Sequence, residues 1–349
     1  MEAPTVRTHV KDYYGQTLQS TADLKTSACC TDEDLPAHHK AILADIADEV
    51  LARFYGCGSP LPPALDGCTV LDLGCGTGRD AFLAAALVGP AGRVVGIDMT
   101  EEQLAVAQRH EAEQARRFGF DAPNTSFRLG TIEDLASAGV EDESVDVVIS
   151  NCVINLAADK RAVFEEIFRV LKPGGELYFS DVFADRRIPA AVAADPVLYG
   201  ECLGGALYAE DFRRMMQAVG CADHRVVSQR PIAVDDPALA RLVGTIGFSS
   251  VTVRAFKLAS LEDRCEDYGQ VAYYEGTIPE HPHAFTLDDH HVFERDRPML
   301  VCGNSAAMVE ETRYGRHFRV VGDRSVHYGL FDCAPAPAAA DSEASGGCC

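Results

Sequence analysis

The chain has 349 residues, enough for about two domains at roughly 150 residues each. Lys and Arg total 31 against 53 Asp and Glu, a formal net charge of −22 with no basic block, which argues against nucleic acid or an anionic membrane surface as partner. No apolar run approaches the roughly 18 residues that span a bilayer and the N-terminus lacks a signal-like apolar region, so the reading is a soluble, cytoplasmic protein whose 13 cysteines serve as thiols.

In chain order, "HHKAILADIADEVLARFY" (38–55) sets Ile42, Leu43, Ile46, Val50 and Phe54 on one helical face, with Gly56 as the stop. "CTVLDLGCGTGRD" (68–80) reads as strand, glycine turn and helix start. "GRVVGIDMT" (92–100) is a second strand, followed by a polar helix from Glu101 to Phe118. "TSFRLG" (125–130) and "VDVVIS" (145–150) are the third and fourth strands. "KRAVFEEIFRVL" (160–171) is an amphipathic helix that stops at "KPGG", and "GELYFSDV" (175–182) is the fifth strand. Strands alternating with helices at this spacing predict an α/β fold with a mostly parallel sheet and helices on both faces. Beyond residue 230 the pattern shifts to short alternating runs, "VTVRAFKL", "GQVAYYEG", "HAFTLD", "HHVFER" and "HFRVVG", which predict a smaller strand-rich unit. The expected division is an N-terminal segment (1–45), a cofactor-binding domain (46–230), a smaller α+β domain (231–335) and a low-complexity tail (336–349).

Gly74, Gly76 and Gly78 follow a strand and open a helix, where glycine lets the backbone turn tightly and approach a ligand. Asp98 ends the next strand, placed to accept hydrogen bonds from ribose hydroxyls. The spacing G-x-G-x-G departs from the G-x-G-x-x-G that seats a pyrophosphate, and favours a cofactor without phosphates. "LDLGCGTG", "GIDMT", the acidic stretch after the third strand and "LKPGGELYFSD" together resemble the class I S-adenosylmethionine-dependent methyltransferases, a Rossmann-like fold, over roughly residues 45–225. That resemblance implies cofactor contacts from Asp72, the three glycines, Asp98, Met99, Ile132, Glu133 and Asn151. It places Ile132 and Glu133 near the adenine and the residues after the fourth strand toward the methyl acceptor.

Cys152 stands at that position, in "SNCVINL". Cys57 occurs in "RFYGCGSP", Cys202 in "YGECLGGALY", and Cys29 and Cys30 close "TADLKTSACC". These words, with "RCEDYGQVAYYEGTI" and the terminal "GGCC", resemble the arsenite methyltransferases in order along nearly the whole chain. The resemblance implies that Cys57, Cys152 and Cys202 ligate trivalent arsenic and that Cys29 is a fourth functional thiol. The family word has one cysteine where this chain has Cys29 and Cys30, so the neighbour remains an alternative.

The chemistry agrees with that assignment. Trivalent arsenic is soft, takes three thiolates and keeps a lone pair, which can attack the sulfonium methyl of S-adenosylmethionine in line without a general base. The expected activity is stepwise methylation of arsenite and methylarsenite, with S-adenosylmethionine as donor, an external thiol of glutathione or thioredoxin type as reductant, no metal cofactor, and a monomer. Two other readings stay open: a methyltransferase acting on a carbon, oxygen or nitrogen acceptor, which would need a base near Cys152, and a protein that sequesters arsenite without turnover. Cys75 receives no role, Cys68, Cys221, Cys302 and Cys333 default to packing, and Cys265 has no assigned chemistry. His281, His283, His290 and His291 are read as solvated turn histidines in preference to a metal site. Cys348 and Cys349 are either arsenic-capturing or spectators.

Overall fold

The β-branched runs assemble, in a computed structural model that describes residues 35–52, 56 and 60–333, into one eight-stranded sheet. β1 (Thr69–Leu73), β2 (Arg93–Asp98), β3 (Thr125–Leu129), β4 (Val145–Asn151) and β5 (Leu171–Ala184) run parallel in the order β3-β2-β1-β4-β5. A short β6 (Leu207–Tyr208) pairs with the end of β5. β7 (His224–Ile232) and β8 (Phe248–Phe256) extend the other side antiparallel, with β8 between β5 and β7.

Alternate strand residues point to opposite faces, and each face acquires its own core. Val70, Val94, Val147 and Ile149 pack against helix Arg79–Val88 and helix Glu101–Arg117. Leu71, Leu73, Val95 and Val148 pack against helix Lys160–Val170. Coverage on both faces explains why these strands read as nearly continuous apolar runs. Helix Lys160–Val170 starts where the Asp159 carboxylate accepts the Ala162 amide at 3.1 Å.

The structure departs from the sequence expectation at three places. The helix expected over 38–55 is two short helices, Ala37–Leu43 and Asp48–Leu51, and residues 53–55 lie outside the described residues. At the break the Asp45 carbonyl accepts Gln114 Nε2 at 2.7 Å and Arg117 Nη1 at 3.2 Å, so side chains of another helix satisfy the acceptor that a continuing helix would use. "KPGG" ends the helix as expected, yet it also belongs to β5, because Gly174 N donates to Lys257 O and Lys257 N to Gly175 O.

The third departure is at the domain boundary. "VTVRAFKL", expected in the smaller unit, supplies β8 to the large sheet, which therefore continues past residue 230 to Phe256. The remaining strands are β9 (Glu266–Asp267), β10 (Gln270–Tyr274), β11 (Ala284–Thr286), β12 (Val292–Glu294), β13 (Pro298–Val301), β14 (Phe318–Val321) and β15 (Gly329–Leu330). They form small antiparallel sheets around an aromatic core of Tyr274, Phe285, Phe293, Tyr314 and Phe318, with helix Gly303–Glu310 packed against it. Buried Arg254 on β8 clamps the two parts: it pairs with Glu176 of β5 and donates to the Thr286 and Leu287 carbonyls. None of the described helices is long and apolar enough to cross a membrane.

Candidate active site

The carboxyl ends of parallel strands bear the loops of an open α/β sheet, and a cleft opens there. After β1 the backbone reverses through Gly74, whose φ is +67° and whose added Cβ would lie 2.4 Å from Val153 Cγ1; only glycine fits. Gly74 N and Cys75 N both donate to Ile97 O, fastening the turn to β2. Gly76, also at positive φ, faces open space, leaving its backbone accessible to a ligand. Gly78 does not line the cleft; it precedes helix Arg79–Val88 at φ +90° against the Phe127 ring.

Asp98 does more than face the cleft. Its Oδ2 accepts Gly76 N at 2.9 Å and its Oδ1 accepts Thr100 N at 2.8 Å, so it braces the glycine turn while remaining half-buried. Burial raises its pKa. Asp72 is buried, with Oδ2 unpartnered among the described residues, and burial, with Asp80 and Asp98 nearby, pushes its carboxyl well above the usual range. Asn151 Nδ2 donates to Asp80 at 2.9 Å, and Asp80 pairs with Arg79. Met99 and Ile132 line the same cleft, as does Glu133, which also accepts the Ala158 amide. Four acidic side chains, Asp72, Asp80, Asp98 and Glu133, line the cleft against one arginine, Arg79. The orphaned oxygen of Asp72 and the open cradle at Gly76 fit a cationic, backbone-contacting ligand such as S-adenosylmethionine.

The cleft reaches Cys152. Cys152 and Cys202 both adopt left-handed backbone conformations, φ +56° and +67°, which cost about 1–3 kcal/mol each in a non-glycine residue and cluster at functional sites. Both are buried, and the Cys202 thiol donates to the Cys152 carbonyl at 3.0 Å. The Cys202 loop is seated by Gly205, whose added Cβ would lie 2.0 Å from Asn155 O, and by Asn155 Nδ2, which donates to the carbonyls of Val182 and Cys202. Cys152 takes part in a disulfide. Cys29, Cys30 and Cys57 lie outside the described residues, as do Cys348 and Cys349.

Asp181 is the residue that the sequence reading missed. Its carboxylate and the sulfurs of Cys152 and Cys202 lie within 4.8 Å of one another, all buried. Burial raises its pKa to about 7, although Val182 N and Asn155 N donate to it. A titratable carboxylate thus stands beside Cys152, where the sequence reading names none. The available signal was an acidic residue inside the apolar run "LYFSDV". The histidine reading is also corrected in part: His283 and His290 are exposed, but His291 is buried and bonded to Asp288, which pairs with Arg225.

Residues 64–220 match the family model described as "Methyltransferase domain". The arsenite methyltransferase of Aquipseudomonas alcaligenes is 54% identical over 323 residues, covering 93% of each chain. The chain belongs to the arsenite methyltransferase family. The human member is 39% identical over 324 residues, covering 91% of this chain and 85% of its own length. The crystal structure of an arsenic(III) S-adenosylmethionine methyltransferase from Chlamydomonas reinhardtii superimposes with a TM-score of 0.83 at 52% identity, covering 85% of this chain and all of that one. Family membership confirms the class I methyltransferase fold and S-adenosylmethionine as methyl donor.

Proposed function

We propose that this member of the family methylates trivalent arsenic held by Cys152, Cys202 and Cys57, in successive steps from arsenite and methylarsenite. The observation that carries the reading is the position of Cys152, which lines the cofactor cleft while its carbonyl accepts the Cys202 thiol. Asp72, Asp98 and the turn at Gly76 would hold S-adenosylmethionine, with Ile132 and Glu133 toward the adenine. Once bound, that group supplies a methyl on a sulfonium, electrophilic enough to be taken by a lone pair.

The protein's own work is to bind and orient. Soft thiolates replace the hydroxyls of arsenite and leave the arsenic lone pair on the open side of a pyramid. As each As–S bond forms, an As–O bond breaks, and the thiol proton leaves with the departing hydroxyl as water. Asp181, poised near neutrality and within 4.8 Å of both sulfurs, is placed to relay that proton. Burial of Cys152 and Cys202 excludes bulk water, and the rigid loops around Asn155 and Gly205 fix the sulfurs.

From its disulfide state Cys152 can bind arsenic only after reduction, which requires an external reductant. Taking up the methyl leaves arsenic pentavalent. Two protein thiols closing to a disulfide would return it to the trivalent state, and two thiols of glutathione or thioredoxin type, oxidised to their own disulfide, would then restore the protein thiols. A sequestering role without turnover would leave the cleft at Asp72, Gly76 and Asp98 unexplained. Incubation with arsenite, a thiol and S-adenosylmethionine, followed by separation of the arsenic species, tests the reading. Methylated arsenicals are expected, and bound but unmethylated arsenite would reject it.

A further inference from the structure

Three cysteines that the sequence assigns to packing or to no role meet at a second place in the fold. Cys265 precedes β9, Cys302 precedes helix Gly303–Glu310, and Cys333 follows β15. Their sulfurs lie within 4.8 Å of one another, and all three are free thiols. The convergence is built by the backbone: β15 pairs with β9, and Phe331 N donates to Cys265 O at 2.7 Å, which lays Cys333 beside Cys265. Arg324 donates to the carbonyls of Ser260 and Gly303, drawing the start of the helix toward the same corner. Cys302 is fully buried, whereas Cys265 and Cys333 are half-buried and open the group to solvent.

We propose that Cys265, Cys302 and Cys333 form a second trithiol site that binds inorganic trivalent arsenic outside the methyl-transfer cleft. Arsenic suits this group better than zinc does. Among the described residues no fourth His, Cys, Asp or Glu joins the three sulfurs, and a structural zinc site wants four ligands, whereas a trivalent arsenic is complete with three and a lone pair. On binding, three As–O bonds of arsenite break, three As–S bonds form, and each thiol proton departs with a hydroxyl as water; no oxidant or reductant is consumed.

The surroundings favour thiolate on Cys302. Arg225 Nη2 lies 3.8 Å from its sulfur, and the Ser305 amide donates to it at 3.4 Å. A hydrogen bond from Cys265, with those from Ser305, lowers the Cys302 pKa, while the Cys265 thiol, as its partner, is raised. The deprotonated sulfur is the one that begins ligand exchange.

The site stands on its own sulfurs and does not depend on the catalytic reading. The test uses the full chain, reduced and freed of reductant under anaerobic conditions, equilibrated with excess arsenite, gel-filtered and assayed for arsenic. Cys302→Ser and Cys265→Ala should each bind one equivalent per chain less than wild type, with cofactor affinity and arsenite methylation unchanged. In the double variant Cys152→Ser/Cys202→Ser, X-ray absorption should show retained arsenic in an all-sulfur, three-coordinate shell. Unchanged stoichiometry in both single variants, or retained arsenic with fewer than three sulfurs, overturns the proposal. So does one tightly held zinc per chain that arsenite cannot displace. Failure of the methylation assay alone would strike the proposed function and leave this site standing.

Discussion

Asp98 shows how one carboxylate serves two purposes. It accepts the Gly76 amide that shapes the glycine turn, and it faces the cleft where ribose hydroxyls are expected. Asp98→Ala should therefore weaken S-adenosylmethionine binding roughly ten- to hundred-fold, the worth of about 1.5–3 kcal/mol for hydrogen bonds to a charged group. Calorimetry against the cofactor measures it, and an unchanged affinity would remove Asp98 from the pocket. Asp181 offers a second residue-scale test. Its folded pKa of about 7 lies above the ordinary 3.8, so between those values the folded state retains a proton that the unfolded chain has lost. Its contribution to stability is full below pH 3.8 and falls as pH rises through about 7, by up to roughly 4 kcal/mol at 1.36 kcal/mol per unit. Denaturation from pH 4 to 8 should show that decline in the wild type and a flatter profile in Asp181→Asn. Equal slopes in the two proteins would contradict the assignment.

At the scale of elements, the parts legible in the sequence were those whose signal is local. β1 to β5 and the helices between them announce themselves by β-branched runs and 3.6-residue spacing, and the glycine turn by three glycines after a strand. What was not legible depended on distant partners. Nothing near Asp45 tells that Gln114 and Arg117 will capture its carbonyl and split a helix. Nothing in "LYFSDV" tells that Asp181 will be buried beside two cysteines, and the meeting of Cys265, Cys302 and Cys333 appears only when β9 and β15 pair. Asp98 was readable from its place at a strand end, whereas Asp72, Met99, Ile132 and Glu133, which line the same cleft, were expected there only through the family resemblance. The Cys202 loop carries its own prediction. Because a Cβ at Gly205 would strike Asn155 O, Gly205→Ala should shift the loop, cost about 1–3 kcal/mol of stability and lower methylation by roughly a hundred-fold. Thermal denaturation and methyl-transfer rates report the two effects separately. A wild-type rate would mean that the loop tolerates displacement.

For the whole molecule, the connections that leave β4 and β5 of the large sheet supply two of the cysteines assigned to arsenic, and the chain before β1 supplies the others. Cys152 and Cys202 sit rigidly beside the cleft, held by Asn155, Ser180 and Gly205. Cys57 and Cys29 belong to a segment outside the described residues, so their roles rest on the family resemblance. Arsenite offers three exchangeable positions and needs a third sulfur, whereas methylarsenite has one position filled by carbon and needs two. Whether Cys152 and Cys202 are the permanent arsenic ligands at the cleft is decided by the methylation of each substrate by each single cysteine variant with excess thiol. Cys152→Ser and Cys202→Ser should lose both reactions. Cys57→Ser and the double change Cys29→Ser/Cys30→Ser should lose methylation of arsenite and keep most of that of methylarsenite. A Cys152→Ser protein that methylates methylarsenite at a rate near wild type would show that Cys152 is not an arsenic ligand.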